Sequence, residues 1–392
     1  MFILFDGIAH KSLRPFTFMK PVSQLRIGML TIKEKWNIYL GEEVGIRTAD
    51  YLHELFPSSE VQHALGINAA LLPNKKLVQE ILELEEGEIL AHKGTILAIN
   101  PLPVKNANLD EVLQGMKLLE SESPVHVLKH PWDIFKLNGI ALEEDYNLLK
   151  SVVEPITIDS SNTLIGEAII VEDGANVKAS VLNASTGPIF ISKGAEVMEG
   201  CLIRGPFYLG EGATLKMGAK IYGPTTIGPH CKVGGEVTNA VFMGYSNKGH
   251  DGFIGNAVIG EWCNLGADTN CSNLKNNYGE VKAWSYLEEK PISTGTQFCG
   301  LMMGDHSKCG INTMFNTGTV VGVFSNIFGS GFPDKFIPSF NWGGADGWET
   351  FKLDKAYEVA ERMMERRNLN LSDAERRVVK YVFEETKKYR KQ

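Results

Sequence analysis

The sequence predicts an α/β domain over residues 1–150, a left-handed parallel β-helix over 151–345 and a helical cap over 346–392. Three observations carry this. Every sixth residue from Ile191 is aliphatic: Ile191, Val197, Ile203, Leu209, Leu215, Ile221, Ile227 and Val233. Such hexapeptide repeats supply one flat strand each, three to a triangular coil, with the aliphatic pointing inward. Glycine, 40 of 392 residues, exceeds the ordinary share of about 7% and concentrates after residue 160. Before that point the chain shows short apolar strands and helical spacing instead.

Taken in order, Phe2–Phe5 reads as a buried strand, Leu25–Trp36 as a helix with a frayed start, and Ala49–Phe56 and Lys75–Glu86 as helices. In the last, Leu77, Ile81 and Leu84 share one face. Ile89–Ile99 alternates about a Lys-Gly turn, a hairpin signal. Leu109–Leu119 reads as an amphipathic helix, and Pro131 opens a connector helix to about Lys150. The six-residue register breaks at 236–249, resumes at Ile254, breaks again over 270–294 and returns as Met303-Gly304 through Ile327. Breaks in a solenoid mark excursions, which commonly carry binding sites. Ser372-x-x-Glu375 is a capping box, ahead of a Val378, Val379, Val382, Phe383 stripe. The basic residues of the preceding helix, Asp354–Arg367, read as a solvated face. Both helices are expected to close the open end of the coil.

A net charge of −8 gives no global attraction to nucleic acid or an anionic membrane. No apolar run reaches the roughly 18 residues of a membrane span, and the first residues lack a signal peptide's basic segment. The six cysteines (201, 231, 263, 271, 299 and 309) form no CxxC pair and read as reduced core thiols. A cytoplasmic protein is expected.

Leu13-Arg14-Pro15-Phe16-Thr17-Phe18-Met19-Lys20-Pro21 resembles the L-x-P-L-T-x-x-x-P segment of sugar-nucleotide pyrophosphorylases. In that family the segment and a Gly-rich loop before it cradle a nucleoside triphosphate. Here Ile8-Ala9-His10-Lys11-Ser12 stands in place of the Gly-rich run, and Val22 replaces the lysine after the second proline. The resemblance implies a nucleotidyltransferase-like domain, a nucleotide substrate and Mg²⁺ for its step. Arg14, Lys20 and Arg26 are the cations available to the phosphates.

The second motif is Gly244–Gly255, where one histidine, His250, interrupts the periodic stack. The spacing from Glu236 through His250, Ile254-Gly255, Ile259-Gly260, Asn264 and Gly266-Ala267 to Asn273 resembles the acetyltransferase domain of bifunctional N-acetylglucosamine-1-phosphate uridylyltransferase/glucosamine-1-phosphate N-acetyltransferases. That resemblance implies an acetyl-CoA-dependent N-acetyltransferase acting on an amino-sugar phosphate, coupled to sugar-1-phosphate nucleotidyl transfer. His250 would be the general base, since imidazole titrates near pH 6.5, about where proton removal from an amine is useful. Glu236 would orient or stabilise the imidazole. Asn264 and Asn273 would hold the sugar, Ala267 would lie by the thioester, and Lys248, Lys275 and Lys282 would contact phosphates. Thr238, Phe253 and Leu274 replace a lysine and two tyrosines of the family's sugar site, which points to a different acceptor.

The resemblance further implies a homotrimer whose partners are a sugar phosphate, an acyl-CoA and a nucleotide. Three-histidine zinc sites of hexapeptide proteins need a His-x4-His pair, which His230, His250 and His306 do not make, so zinc is not expected. Two other readings stand beside this one. In the first, the N-terminal domain only binds a nucleotide sugar. In the second, the β-helix is a non-catalytic trimer scaffold.

Overall fold

The computed structural model describes residues 1–59, 63–103 and 114–390. The first domain is built on a six-stranded sheet in the order Gly45–Arg47, Phe2–Phe5, Leu65–Asn68, Thr95–Asn100, Glu88–His92, Lys117–Glu120. Its first three strands run parallel, and the Glu88–His92/Thr95–Asn100 pair is the expected hairpin. The segment read as one helix from Leu25 divides. Arg26–Ile27 pairs with Leu30–Thr31 across Gly28, and the helix starts at Ile32. Thr31 and Glu34 form a capping box there, which fixes the start that apolar spacing alone misjudges. Ala49–Phe56 holds only a single turn of 3₁₀ helix, Asp50–Leu52. The expected helix Leu109–Leu119 falls partly outside the described residues, and its last residues join the strand Lys117–Glu120. The connector helix is Asp133–Leu149.

The glycine-rich half is the expected β-helix. Nine parallel rungs stack on each of two of its faces. Strands beginning at Ile189, Phe207 and Thr225 are each eighteen residues apart, three hexads per coil. All eight aliphatics of the Ile191–Val233 series are at most 2% exposed and belong to one interior cluster. Five of the six cysteines join that cluster, and all six are buried and free.

The two breaks in register have different causes. Residues 236–249 do not leave the coil. Glu236–Gly244 is one nine-residue strand that turns a corner, and Thr226 pairs with Val241, fifteen residues on rather than eighteen. The second break is a true excursion. It carries the antiparallel pair Lys282–Ser285/Lys290–Ser293, whose Trp284 and the following Tyr286 pack on Phe336 and Tyr389.

One corner of the coil repeats a backbone rather than a side chain. Gly174, Gly194, Gly212, His230, Tyr245, Trp262, His306, Phe324 and Phe340 occupy successive coils, all with positive φ. The last six hold φ between +54° and +61°, a region that costs an L-residue about 1–2 kcal/mol. Their rings stack in series, with centroids 5.0, 4.3, 6.1, 4.5 and 5.2 Å apart. Ring stacking offsets a strain that the three glycines avoid.

The connector helix lies on one face of the coil, Leu142 and Tyr146 packing with Ile170, Phe190 and Tyr208. Thr226 donates to Gly28 O at 2.9 Å and to Asn138 Oδ1 at 3.0 Å, which also accepts from Gly28 N at 2.8 Å. Hairpin, helix and coil thus meet at one turn. The terminal helices Leu353–Glu365 and Asp373–Glu385 do not close the end of the coil. They run along its side and against the first domain, with Arg14 paired to Glu385 at 2.7 Å and Tyr51 stacked on Tyr381 at 4.1 Å.

The corner ladder makes a stability prediction. Phe324→Ala should cost about 3–5 kcal/mol from the lost ring. Phe324→Gly should cost about 1 kcal/mol less, because glycine accepts the left-handed backbone. Urea unfolding of both variants checks this, and the reverse order would show that the corner carries no strain.

Candidate active site

His250 sits on the corner between Asn247–Lys248 and Phe253–Glu261. Its ring is exposed and, among the described residues, makes no hydrogen bond or ion pair. The corner is tight for a local reason. Gly252 has φ +111°, and a Cβ there would fall 2.2 Å from Thr269 O. Lys248 is not at the surface. It is 1% exposed, and its Nζ donates to Gly234 O at 3.0 Å, His250 O at 2.7 Å and Asp251 O at 3.2 Å. It therefore cannot be the phosphate contact that its position beside His250 suggests. Burial lowers its pKa to about 8.

One side of the corner opens into a cavity of about 480 Å³. His250, Asn264, Gly266 and Ala267 line it, together with Tyr245 and Trp262 of the ring ladder. Lys216, Lys232, Arg366 and Arg367 converge on the same space, and among the described residues no carboxylate lines it. Burial, and then Arg367, Lys216 and Arg366 around it, lower the pKa of Lys232. Arg367 is anchored by donating to His230 O at 3.1 Å. Among the described residues none of these four cations forms a salt bridge, although Glu196 acts weakly on Lys232, and such a cluster suits a polyanion. Sequence reading misses all four. Arg366 and Arg367 belong to the stretch read as a solvated face, and only the packing of that helix along the coil brings them to His250.

On the other side of the corner lies a second group. Glu236 pairs with Phe253 and Thr238 with Gly255 on adjacent rungs, and Glu236 N donates to Gly252 O at 3.2 Å. A methyl on Gly255 would lie 2.6 Å from Asn273 Nδ2, 2.6 Å from the Phe253 ring and 3.0 Å from Thr238 Cγ2. Asn273 is fixed by donating to Asn256 Oδ1 at 2.8 Å. So Glu236, Thr238, Phe253 and Asn273 share one patch, next to the corner rather than inside the cavity. Lys275 and Lys282 are on the excursion and do not line the cavity. The Lys275 ammonium donates to Glu280 O at 2.5 Å, and Lys282 is exposed.

Arg14, Lys20 and Arg26 each contact other groups of the protein. Every residue from Ser12 to Ser23 except Met19 is buried. Arg14 pairs with Glu385 and lies over the Phe18 ring at 4.6 Å. Lys20 reaches into the β-helix, 2.7 Å from Glu261 and 3.2 Å from Asp305. Burial opposes its charge, yet Asp305 and Glu261 hold its pKa above the ordinary lysine value. Burial likewise pushes Asp305 up to about 6. Arg26 donates to Met29 O. The proline-rich segment is thus an interdomain joint, and its charges are not free for phosphates. At the end of the first strand, Asp6 accepts from Thr48 Oγ1 at 2.6 Å and Val22 N at 3.1 Å and faces His10 Nδ1 at 3.2 Å.

The sugar nucleotidyl transferase family profile matches residues 2–153. A bifunctional sugar-1-phosphate nucleotidylyltransferase/acetyltransferase of Sulfurisphaera tokodaii is 30% identical over 311 residues, 76% of this chain and 68% of that protein. The bifunctional protein GlmU of Methanocaldococcus jannaschii is 28% identical over 283 residues, 70% of this chain and 58% of that protein. Among solved structures, the UDP-N-acetylglucosamine acyltransferase of Bacteroides fragilis aligns with TM-score 0.32 and 13% identity, covering 58% of this chain and 96% of that one.

The depressed pKa of Lys248 has a sign that can be tested. Its folded value of about 8 lies below the ordinary 10.5, so the unfolded chain holds the proton more tightly. Stability then rises with pH from about 8 to about 10.5, by on the order of 3 kcal/mol. Lys248→Met lacks this titration. Urea unfolding should show the wild type gaining on the variant across that range, and a pH-independent difference would contradict the desolvated ammonium.

Proposed function

The chain belongs to the family of bifunctional sugar-1-phosphate nucleotidylyltransferase/acetyltransferases, and on that premise we propose that its β-helix transfers an acetyl group from acetyl-CoA to the amino group of a sugar phosphate, with His250 as general base. One observation carries this: His250 stands at a corner between a cationic cavity and a separate patch bearing Glu236 and Asn273.

CoA has phosphates at one end and its thioester at the other. Lys216, Lys232, Arg366 and Arg367 suit the phosphates. Asn264 and Ala267 lie in the same cavity as His250, and the small side chain of Ala267 leaves room for the thioester. The acceptor approaches from the patch of Glu236, Thr238, Phe253 and Asn273. The imidazole takes a proton from the amine as its nitrogen bonds to the thioester carbon. The C–S bond then breaks, and the imidazolium returns the proton to the CoA sulfur. Glu236, on the same strand as Thr238 and paired with Phe253, stabilises positive charge near the corner. The acceptor is glucosamine-1-phosphate or a close analogue, and the patch offers it Thr238 and Phe253 where the family has a cation and a hydroxyl.

For the α/β domain the family reading is nucleotidyl transfer. Arg14, Lys20 and Arg26 are taken up internally, so the triphosphate is held by other groups. Mg²⁺ in such steps is carried chiefly by phosphates with one or two carboxylates. Among the described residues no cluster of three or more His, Cys, Asp or Glu is arranged for a metal, and Asp6 is already engaged, so no step here is assigned to the ion. The buried joint favours a second reading, in which this domain only binds a nucleotide sugar. Pyrophosphate release from UTP and N-acetylglucosamine-1-phosphate with Mg²⁺ separates the two. Exposed Leu164, Ile165, Leu202 and Tyr222 on one face of the coil support a homotrimer. Among the described residues no helix is long and apolar enough to cross a membrane. The six free thiols fit a reducing cytoplasm.

Thiol release from acetyl-CoA with glucosamine-1-phosphate is the direct test. His250→Ala should lower kcat by about 10²–10⁴; an undiminished rate would remove the base assignment. The cation assignment is tested separately. Lys232→Ala/Arg366→Ala should raise KM for acetyl-CoA about tenfold or more and leave turnover of acetyl-pantetheine, which lacks the nucleotide phosphates, unchanged. Equal loss with both donors would assign the cluster to packing.

A further inference from the structure

We propose that Lys248 is a positioning residue for His250, an inference that rests on the base reading above. The inward column of one face runs Val177, Val197, Leu215, Val233, Lys248, Leu265, Cys309, Ile327. Seven of the nine rungs in this column fill the position with an apolar or thiol side chain, and the last, Gly343, has none. The coil that bears His250 alone fills it with an ammonium. Burying an ammonium is costly unless every donor is satisfied, and here all three donors have carbonyl partners.

Those partners explain the placement. Gly234 O belongs to the coil below, while His250 O and Asp251 O are the corner itself. A corner bounded by Gly249 and Gly252 has little side-chain packing to hold it, since a Cβ on Gly249 would meet nothing within 4 Å. The lysine reaches from the core and ties the two central carbonyls of that corner to the adjacent rung. Gly235, with φ +72°, leaves the space: a Cβ there would lie 2.8 Å from Lys248 Nζ and 2.9 Å from Asp251 Cα. A base must be held to within a fraction of an ångström of its working position, and a loss of about 1 Å can cost about 10²-fold in rate. A side chain that served the coil alone would be aliphatic, as it is in the neighbouring rungs.

The test is a cycle of Lys248→Met and His250→Ala, assayed by thiol release from acetyl-CoA with glucosamine-1-phosphate. Lys248→Met should lower kcat about ten- to a hundredfold with KM for acetyl-CoA within about twofold. In the His250→Ala background it should cost nothing further, because no base remains to be positioned. The same fold-loss in both backgrounds, or no loss in either, would overturn the proposal. If His250→Ala loses activity and Lys248→Met does not, this inference fails alone. If His250→Ala keeps full activity, the base reading fails and takes the inference with it. Should Lys248→Met not fold, Lys248→Gln retains an N–H donor and is judged by the same dependence on His250.

Discussion

Axial stacking is the constraint on which the rest of this molecule depends. A parallel coil bonds each rung to the one above it, so every position is repeated by whatever occupies it one turn later. An inward position must be apolar in coil after coil, and a corner backbone must be tolerable at every level of the stack. The interior obeys with an aliphatic column, and the left-handed corner obeys first with glycine and then with a continuous pile of rings. The repetition is broken at one level by a lysine in the aliphatic column, a histidine on the next corner and a shortened turn beneath them.

The second half of the design is how the coil is joined to its companions. Lys20, Glu261 and Asp305 form a buried ionic contact between the α/β domain and the β-helix. Asp145, on the connector helix, accepts from Met29 N and Leu30 N and pairs with Lys35. Buried charges like these contribute little net stability but penalise any arrangement that leaves one unpaired. The Lys20 contact fixes how the two domains meet, while Asp145 fixes the connector helix against the first domain.

Much of this is legible in the sequence, and the gaps have physical causes. Hexad periodicity reports burial directly, so the coil and its interior residues can be read from Ile191 to Val233. His250, Asn264 and Ala267 can be found because their spacing is local, and the cavity does contain all three. Lys248 misleads because the fifteen-residue turn before it shifts the hexad. Its inward position follows from Val233 only when that shorter turn is known. Arg14 and Lys20 mislead for another reason. A cation in a proline-rich loop looks the same whether it meets a phosphate or a carboxylate from a distant part of the chain. Arg366 and Arg367 are invisible as site residues because nothing near them in the chain refers to His250. Capping boxes at Thr31 and Ser372, by contrast, are written in four consecutive residues each.

The terminal helices have a consequence for how the protein can be divided. One stretch, 353–390, lends two cations to the cavity beside His250 and also supplies Glu385 to Arg14 and Tyr381 to Tyr51 in the first domain. Cutting the chain at the connector would leave the α/β half with an exposed joint. Ending it before Leu353 would strip both halves at once. Although two chemistries are strung along the chain, the molecule is mechanically one piece, and neither half is a module that could be lent intact to another protein.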